Sequence, residues 1–186
     1  MITVVSGLPR SGTSLMMQML EKGGMAVLTD EIRKADESNQ RGYYEYDKVK
    51  SLGKDPSWIG EADGKAVKII AQLLFFLSRN FDYRILFMER HMEEIVESQS
   101  SMLRNLGRTG ANLDSDILIQ TFQKQMDQAK AIMTWAPNIE WMSVSYNELV
   151  RDPKPVAEQV NAFLGNSLSI PDMVSVVDEA LYRTRC

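Results

Sequence analysis

Positions 7–14, G-L-P-R-S-G-T-S, gather two glycines, one arginine and three hydroxyls directly after an apolar run. Four residues separate Gly7 from Gly12, the spacing of a phosphate-binding loop, but Thr13 stands where that motif has lysine. Glycines permit a tight turn around an anion, and the N–H groups of the first helical turn point into it. Arg10, Ser11, Thr13 and Ser14 would add charge and hydroxyls. The bland alternative is a strand-to-helix turn with Ser11 as cap, yet the segment is more polar than such a turn needs. The missing lysine argues against an ordinary nucleotide triphosphatase. A second candidate is Arg90 with Ser98 eight residues on. Eight residues of helix rise about 12 Å, so both can meet one ligand only if Arg90 precedes the helix and reaches back along it. The alternative there is an ordinary helix start, with Arg90 paired to Glu93 or Glu94. Lys68 sits in an apolar strand pattern, where an ammonium is costly unless paired or catalytic. Glu31 follows a short strand pattern, and strand ends are where open α/β sheets bind ligands.

The elements that must position these groups are legible in the pattern. Residues 2–6, I-T-V-V-S, read as a buried central strand. Leu15, Met16, Met19 and Leu20 form a helical stripe that Gly23-Gly24 stops. Met17 falls outside that stripe. Strands are expected over 25–28, 66–70, 83–88 and 141–145, with an apolar helix over about 71–79 and helices over 91–106 and about 115–135. Residues 105–114 interrupt the pattern, and Pro137 ends the long helix. Asp152 should cap a helix with Pro153 at its first position, closed by Gly165. A last short helix starts near Pro171. No period covers 29–65, which reads as one long recognition loop with a helix at 46–53. Strand and helix alternating around apolar strands predicts an α/β fold, a three-layer αβα sandwich about a mostly parallel sheet.

Composition narrows the chemistry. The 186 residues suit one domain, 1–186. Cys186 and His91 are the sole cysteine and histidine, so an intramolecular disulfide, cysteine-based metal sites and multi-histidine zinc sites are excluded, and no metal site is expected. Residues 1–110 carry 15 basic and 15 acidic side chains, whereas 111–186 carry 6 and 10, which accounts for the formal charge of -4. An anion site belongs in the first part, and the acidic balance argues against nucleic acid as partner. There is no basic leader and no apolar run near 18 residues, so no membrane span and a cytoplasmic location are expected.

On these motifs the chain resembles sulfotransferases that use 3'-phosphoadenosine-5'-phosphosulfate (PAPS), of the short bacterial type. G-x-P-R-S-G-T-S looks like their 5'-phosphosulfate loop, which implies that Arg10, Ser11, Gly12, Thr13 and Ser14 hold the 5' phosphate and that Arg10 faces the sulfonate. Strand-end arginine then serine eight on is their 3'-phosphate pattern, implying that role for Arg90 and Ser98. T-D-E-I-R, 29–33, resembles the Gly-Glu-Glu-Thr-Arg segment of tyrosylprotein sulfotransferases, which puts the general base on Glu31, with Asp30 as understudy, and a substrate-side arginine on Arg33. Lys68 corresponds to the family's lysine that stabilises the leaving group. S-Y-N-E-L-V, 145–150, resembles a Tyr-Glu-Asp-Leu segment whose tyrosine reaches the nucleotide, here Tyr146, with Asn147 and Glu148 replacing the acidic pair. Arg183, in L-Y-R-T-R, resembles a C-terminal arginine that closes the cofactor site in short bacterial members. The segment 38–46 resembles an acceptor-recognising Asn-Pro-Arg-Gly-Tyr-Phe-Glu run, with Gln40 in place of proline.

The resemblance implies an enzyme, a PAPS-dependent sulfotransferase releasing 3'-phosphoadenosine-5'-phosphate (PAP) and sulfonating a hydroxyl-bearing small molecule or peptide. Two alternatives stay open: a small-molecule or nucleotide kinase, for which Glu89 is the obvious magnesium ligand, and a degenerate binding protein. His91 is expected to be structural or a minor ligand contact, and Trp58 is either an adenine shelf or a core anchor. So short a chain leaves the acceptor site shallow, completed by a second subunit in a homodimer, or supplied by the partner.

Overall fold

The computed structural model describes residues 1–30, 32, 39, 42–105 and 114–178. Among these, five strands form one all-parallel sheet in the order β2-β3-β1-β4-β5. They are β1 (Ile2–Gly7), β2 (Val27–Leu28), β3 (Ala66–Lys68), β4 (Tyr83–Glu89) and β5 (Ile139–Ser145). The first strand lies at the centre, with Val4 opposite Val67 of β3 and Ile85 of β4. Its β-branched, fully buried residues fit that place, since a strand covered on both faces has no water-facing side.

Strand alternation divides the core into two layers. Ile2, Val4, Val67, Ile85 and Phe87 face one side, covered by α2 (Met92–Asn105), α3 (Ser115–Trp135) and 3-10 turns over Asp47–Ser51, Ser57–Ala62 and Ala71–Phe76. Val5, Ala66, Leu86, Met88 and Val144 face the other, against α1 (Thr13–Lys22), α4 (Tyr146–Arg151), α5 (Pro153–Leu164) and α6 (Ile170–Ser175). The expected αβα sandwich is thus the observed architecture. Burying each large apolar side chain contributes about 1.5–3 kcal/mol. Met17 is buried as well as Met16 and Met19, because α1 is covered on more than its sheet-facing stripe.

Several elements differ from the expectation. The strands expected over 25–28 and 66–70 shrink to Val27–Leu28 and Ala66–Lys68. The apolar helix expected over 71–79 is a 3-10 turn, Ala71–Phe76, with Leu77 extended. A 3-10 turn rises about 2.0 Å per residue against about 1.5 Å for an α-helix. It therefore returns the chain to the start of β4 with fewer residues. Asp152 occupies the N-cap of α5 but makes no side-chain cap bond, so Pro153 alone marks that start. The helix α4 is unanticipated; Ser145 Oγ accepts from the Glu148 amide at 3.2 Å. The spacing S-x-x-E at 145–148 is a capping signature that could have revealed it. Part of the segment expected to be one long recognition loop, 29–65, belongs to the core instead. Val49, Leu52, Trp58, Ile59 and Ala62 are buried in the core, and Trp58 meets Tyr46 edge-on at 5.4 Å. Trp58 is a core anchor.

Tyr83, fully buried at the start of β4, donates to the Ser78 carbonyl at 3.0 Å, and burial pushes its phenol up to about 12. Folding therefore favours the neutral phenol: this contribution is complete below the unfolded value near 10 and lost as pH rises toward 12. Tyr83→Phe should cost ~1 kcal/mol at pH 7 for the lost hydrogen bond and flatten the alkaline loss. Urea unfolding at pH 7 and at increasing pH checks both; an unchanged alkaline slope would exclude Tyr83 as its source. Among the described residues, no helix is long and apolar enough to cross a membrane.

Candidate functional site

The glycine loop joins the C-terminal end of β1 to α1, and its backbone requires the residues it has. Gly12, the N-cap of α1, has φ 98°, and a Cβ there would lie 2.2 Å from the Tyr146 ring. A Cβ on Gly7 would lie 2.5 Å from Ser11 Oγ and 2.6 Å from the Met88 carbonyl. Ser11 is fully buried and donates to the Leu8 carbonyl at 2.7 Å, closing the turn. Its hydroxyl thus shapes the loop but does not cap the helix, contrary to the bland reading, because the N-cap of α1 is Gly12 and the Ser11 hydroxyl bonds the Leu8 carbonyl instead. Gly12 caps α1 with no side-chain bond, and the first turn carries no acidic residue, so its positive end faces the loop. Thr13 and Ser14 begin that helix.

Arg10 is held in the left-handed region at φ 74°. Such a conformation persists in a non-glycine residue only where its surroundings impose it. Here Ser98 of α2 and Arg90, just ahead of that helix, do so. Arg10 Nε donates to Ser98 Oγ at 3.0 Å, and Arg90 Nη1 donates to the Arg10 carbonyl at 3.1 Å. Arg90 lies between β4 and α2, ahead of the helix, and donates to Glu94 and the Arg10 carbonyl. It is also paired, as the alternative reading had it, and the partner is Glu94. Arg90 Nε donates to Glu94 Oε2 at 2.7 Å, with side chains only 7% and 1% exposed. The guanidinium lies 4.6 Å over the Tyr146 ring, a cation–π contact of ~0.5–2 kcal/mol. Burial raises the Tyr146 phenol, Arg90 pulls it down, Glu94 raises it and Arg10 lowers it. The two anion motifs and Tyr146 are therefore one connected assembly.

Lys68 is the last residue of β3, its side chain 9% exposed. Its ammonium donates to the Tyr43 carbonyl and lies 3.5 Å from Ser14 Oγ and 3.8 Å from Glu45 Oε1. Ser14 also accepts from Asn39 Nδ2 at 3.0 Å and donates to the Tyr43 carbonyl at 3.2 Å. These contacts tie Lys68 to the start of α1.

Glu31, Arg33 and Arg183 lie outside the described residues, as do Gln40 and most of 105–114. Asp30 accepts from the Ile32 amide at 3.1 Å and the Asp47 amide at 2.5 Å, so it fixes the local turn. The Glu45 carbonyl accepts from Thr29 Oγ1 at 2.9 Å and the Asp30 amide at 3.2 Å, joining 29–30 to 45. Glu45 is thus a carboxylate beside Lys68 that the motif reading did not assign. His91 is 63% exposed, with Nδ1 3.7 Å from Glu94 Oε1. Glu89 is paired to Lys130 at 2.9 Å and accepts from Ser143 Oγ.

This arrangement defines a class: an all-parallel α/β sheet with a glycine loop between its central strand and the following helix. No protein-family model matches the sequence, and no curated protein matches it. Among solved structures, it is similar to a sulfotransferase domain from the curacin biosynthetic pathway. That similarity has a TM-score of 0.56 at 16% identity and covers 95% of this chain and 77% of the other. A sugar kinase from Janibacter sp. also aligns, at 16% identity over 96% of each chain. Its TM-score is 0.48. The first similarity shows a common fold.

Proposed function

We propose that the chain is an enzyme of the PAPS-dependent sulfotransferase type, moving a sulfonyl group to a hydroxyl acceptor and releasing PAP. The observation that carries this reading is the joining of Arg10, Arg90, Ser98 and Tyr146 around a glycine loop that tolerates no added side chain at Gly12. Two guanidinium groups at the start of a helix suit a ligand with two separated anionic groups.

In this proposal Arg10, Gly12, Thr13 and Ser14 hold the 5' phosphate through backbone N–H groups, hydroxyls and charge, with Ser11 keeping the turn closed. Arg90 and Ser98 hold the 3' phosphate, Tyr146 lies against the nucleotide and Arg183 closes the site. Glu31 removes the acceptor proton, Arg33 orients the acceptor, and the acceptor oxygen attacks sulfur in line. Lys68 and Arg10 stabilise charge on the departing bridging oxygen. The single domain spans 1–186 and works in the cytoplasm, and 29–65 contributes the acceptor side.

Titration calorimetry with PAP and with ATP, each with and without magnesium, tests the reading. PAP should bind at least about tenfold more tightly than ATP, a difference of ~1.4 kcal/mol, with no magnesium requirement. Tighter binding of ATP with magnesium would overturn it in favour of a kinase.

A further inference from the structure

A chain of hydrogen bonds runs behind Arg90 and has no part in the reading above. Arg90 Nε donates to Glu94 Oε2 at 2.7 Å, and Asn147 Nδ2 donates to Glu94 Oε1 at 3.0 Å. The His91 amide donates to Asn147 Oδ1 at 3.4 Å, which fixes the orientation of the Asn147 amide. The two ends of this chain, a guanidinium Nε–H and a backbone N–H, can only donate. The two side chains between them must therefore accept at both ends and supply one donor in the middle. One carboxylate and one primary amide meet that requirement. Two amides leave a donor facing a donor whichever way they turn, and two ionised carboxylates leave an acceptor facing an acceptor.

We propose that Glu94 and Asn147 act together as positioning residues that hold the Arg90 guanidinium across Tyr146 and against the Arg10 carbonyl, and so set recognition of the second anionic group of the ligand. The position of Arg90 supports this. It lies between helix α2 and the glycine loop, and Glu94, 1% exposed, is anchored in the protein rather than in solvent. His91, with Nδ1 3.7 Å from Glu94 Oε1, and the Tyr146 ring complete the surroundings of the pair. A competing role for Glu94 is neutralisation of Arg90, and the two roles have opposite signs. Removing a negative charge near a bound anion strengthens binding, whereas releasing the guanidinium weakens it.

The proposal rests on the assignment of Arg90 to the 3' phosphate, so its test has one readout with nucleotide and one without. The ratio of affinities for PAP and adenosine 5'-monophosphate isolates the 3' phosphate. In Glu94→Gln this ratio should fall about tenfold, as for one lost charged hydrogen bond. In Asn147→Asp it should fall as well. The double variant Glu94→Gln/Asn147→Asp restores one amide and one carboxylate in exchanged positions, and its ratio should return to within about threefold of the parent, less than half the energy of a tenfold change. Charge alone would raise the ratio in Glu94→Gln and lower it when Asn147→Asp is added, so a fall in the first that the added carboxylate reverses is not a charge effect. If Glu94→Gln fails to fold, a folded double variant supports the proposal and an unfolded one overturns it. A raised ratio in Glu94→Gln would show that Glu94 only neutralises Arg90, and failure of the double variant to recover would equally overturn the pair. The second readout is the Arg90 Nε–H resonance, assigned by its loss in Arg90→Lys. It should be protected from exchange in the parent, less protected in Glu94→Gln, where a neutral amide oxygen is the weaker acceptor, and protected again in the double variant if the exchanged pair holds Arg90. If the parent shows no preference for PAP, the cofactor assignment fails, and this resonance alone decides whether the pair holds Arg90.

Discussion

Gly12→Ala is expected to destabilise the protein by about 2–6 kcal/mol and to abolish anion binding at the loop. Two costs combine. A non-glycine residue held at φ 98° costs about 1–3 kcal/mol. The added methyl would stand 2.2 Å from Cδ2 and 2.9 Å from Cε2 of Tyr146, and overpacking of that kind costs about 1–3 kcal/mol more. The ring cannot simply move aside, because it is nearly buried and carries Arg90 on it. A double-mutant cycle with Tyr146→Ala separates the terms. With the ring removed, Gly12→Ala should cost only the backbone share, about 1–3 kcal/mol. Urea unfolding of the four proteins measures this. Equal costs in both backgrounds would show that the ring does not stand on Gly12.

Lys68→Met is expected to reduce turnover by about 10²–10³-fold while changing PAP affinity less than about tenfold. An ammonium that stabilises the departing oxygen acts mainly in the transition state, where that oxygen gains charge, so its loss falls on kcat. Lys68 is suited to this because its Nζ lies 3.5 Å from Ser14 Oγ at the start of α1, with a side chain only 9% exposed. Methionine keeps most of the buried stem while leaving the Tyr43 carbonyl and Glu45 without the ammonium. Single-turnover sulfonyl transfer and PAP calorimetry, run on the same preparation, give the two numbers. If affinity and rate fall by the same factor, Lys68 serves ground-state binding.

What the sequence made legible follows the range of the forces involved. The central strand, the loop, α1, α3 and α5 are written in local signals: β-branched runs, Gly7 and Gly12, a Pro after α3 and Gly165 after α5. Glycine spacing and the strand pattern likewise placed Arg10 in the loop, Lys68 at the end of its strand and Arg90 at a strand-to-helix junction, because such placement depends on a few neighbouring residues. The contacts around those residues were not legible. Arg90 to the Arg10 carbonyl spans 80 residues, and Arg10 to Ser98 spans 88. Nothing local records that Tyr146 lies on Gly12, or that Trp58 packs on Tyr46 in the core. Asn147 looked like a mild departure from an acidic pair. Beside Glu94 it supplies the donor that a second carboxylate lacks. The short 3-10 crossover at Ala71–Phe76 was hidden for another reason, since its apolar run carries no period that separates it from an α-helix.

The central position of β1 also sets an order of assembly. As the chain is synthesised, residues 2–14 emerge before their partners, since β1 pairs, among the described residues, with β3 and β4, which begin at Ala66 and Tyr83. The contacts that hold the loop at Arg10 and cover it at Gly12 wait for Arg90, Ser98 and finally Tyr146. Non-local pairings of this kind bear their loop-closure entropy before any contact offsets it. An apolar strand and its glycine loop thus leave the ribosome long before their partners do. This early segment completes its native contacts only once Tyr146 has emerged, and until then its apolar strand needs shielding from other chains.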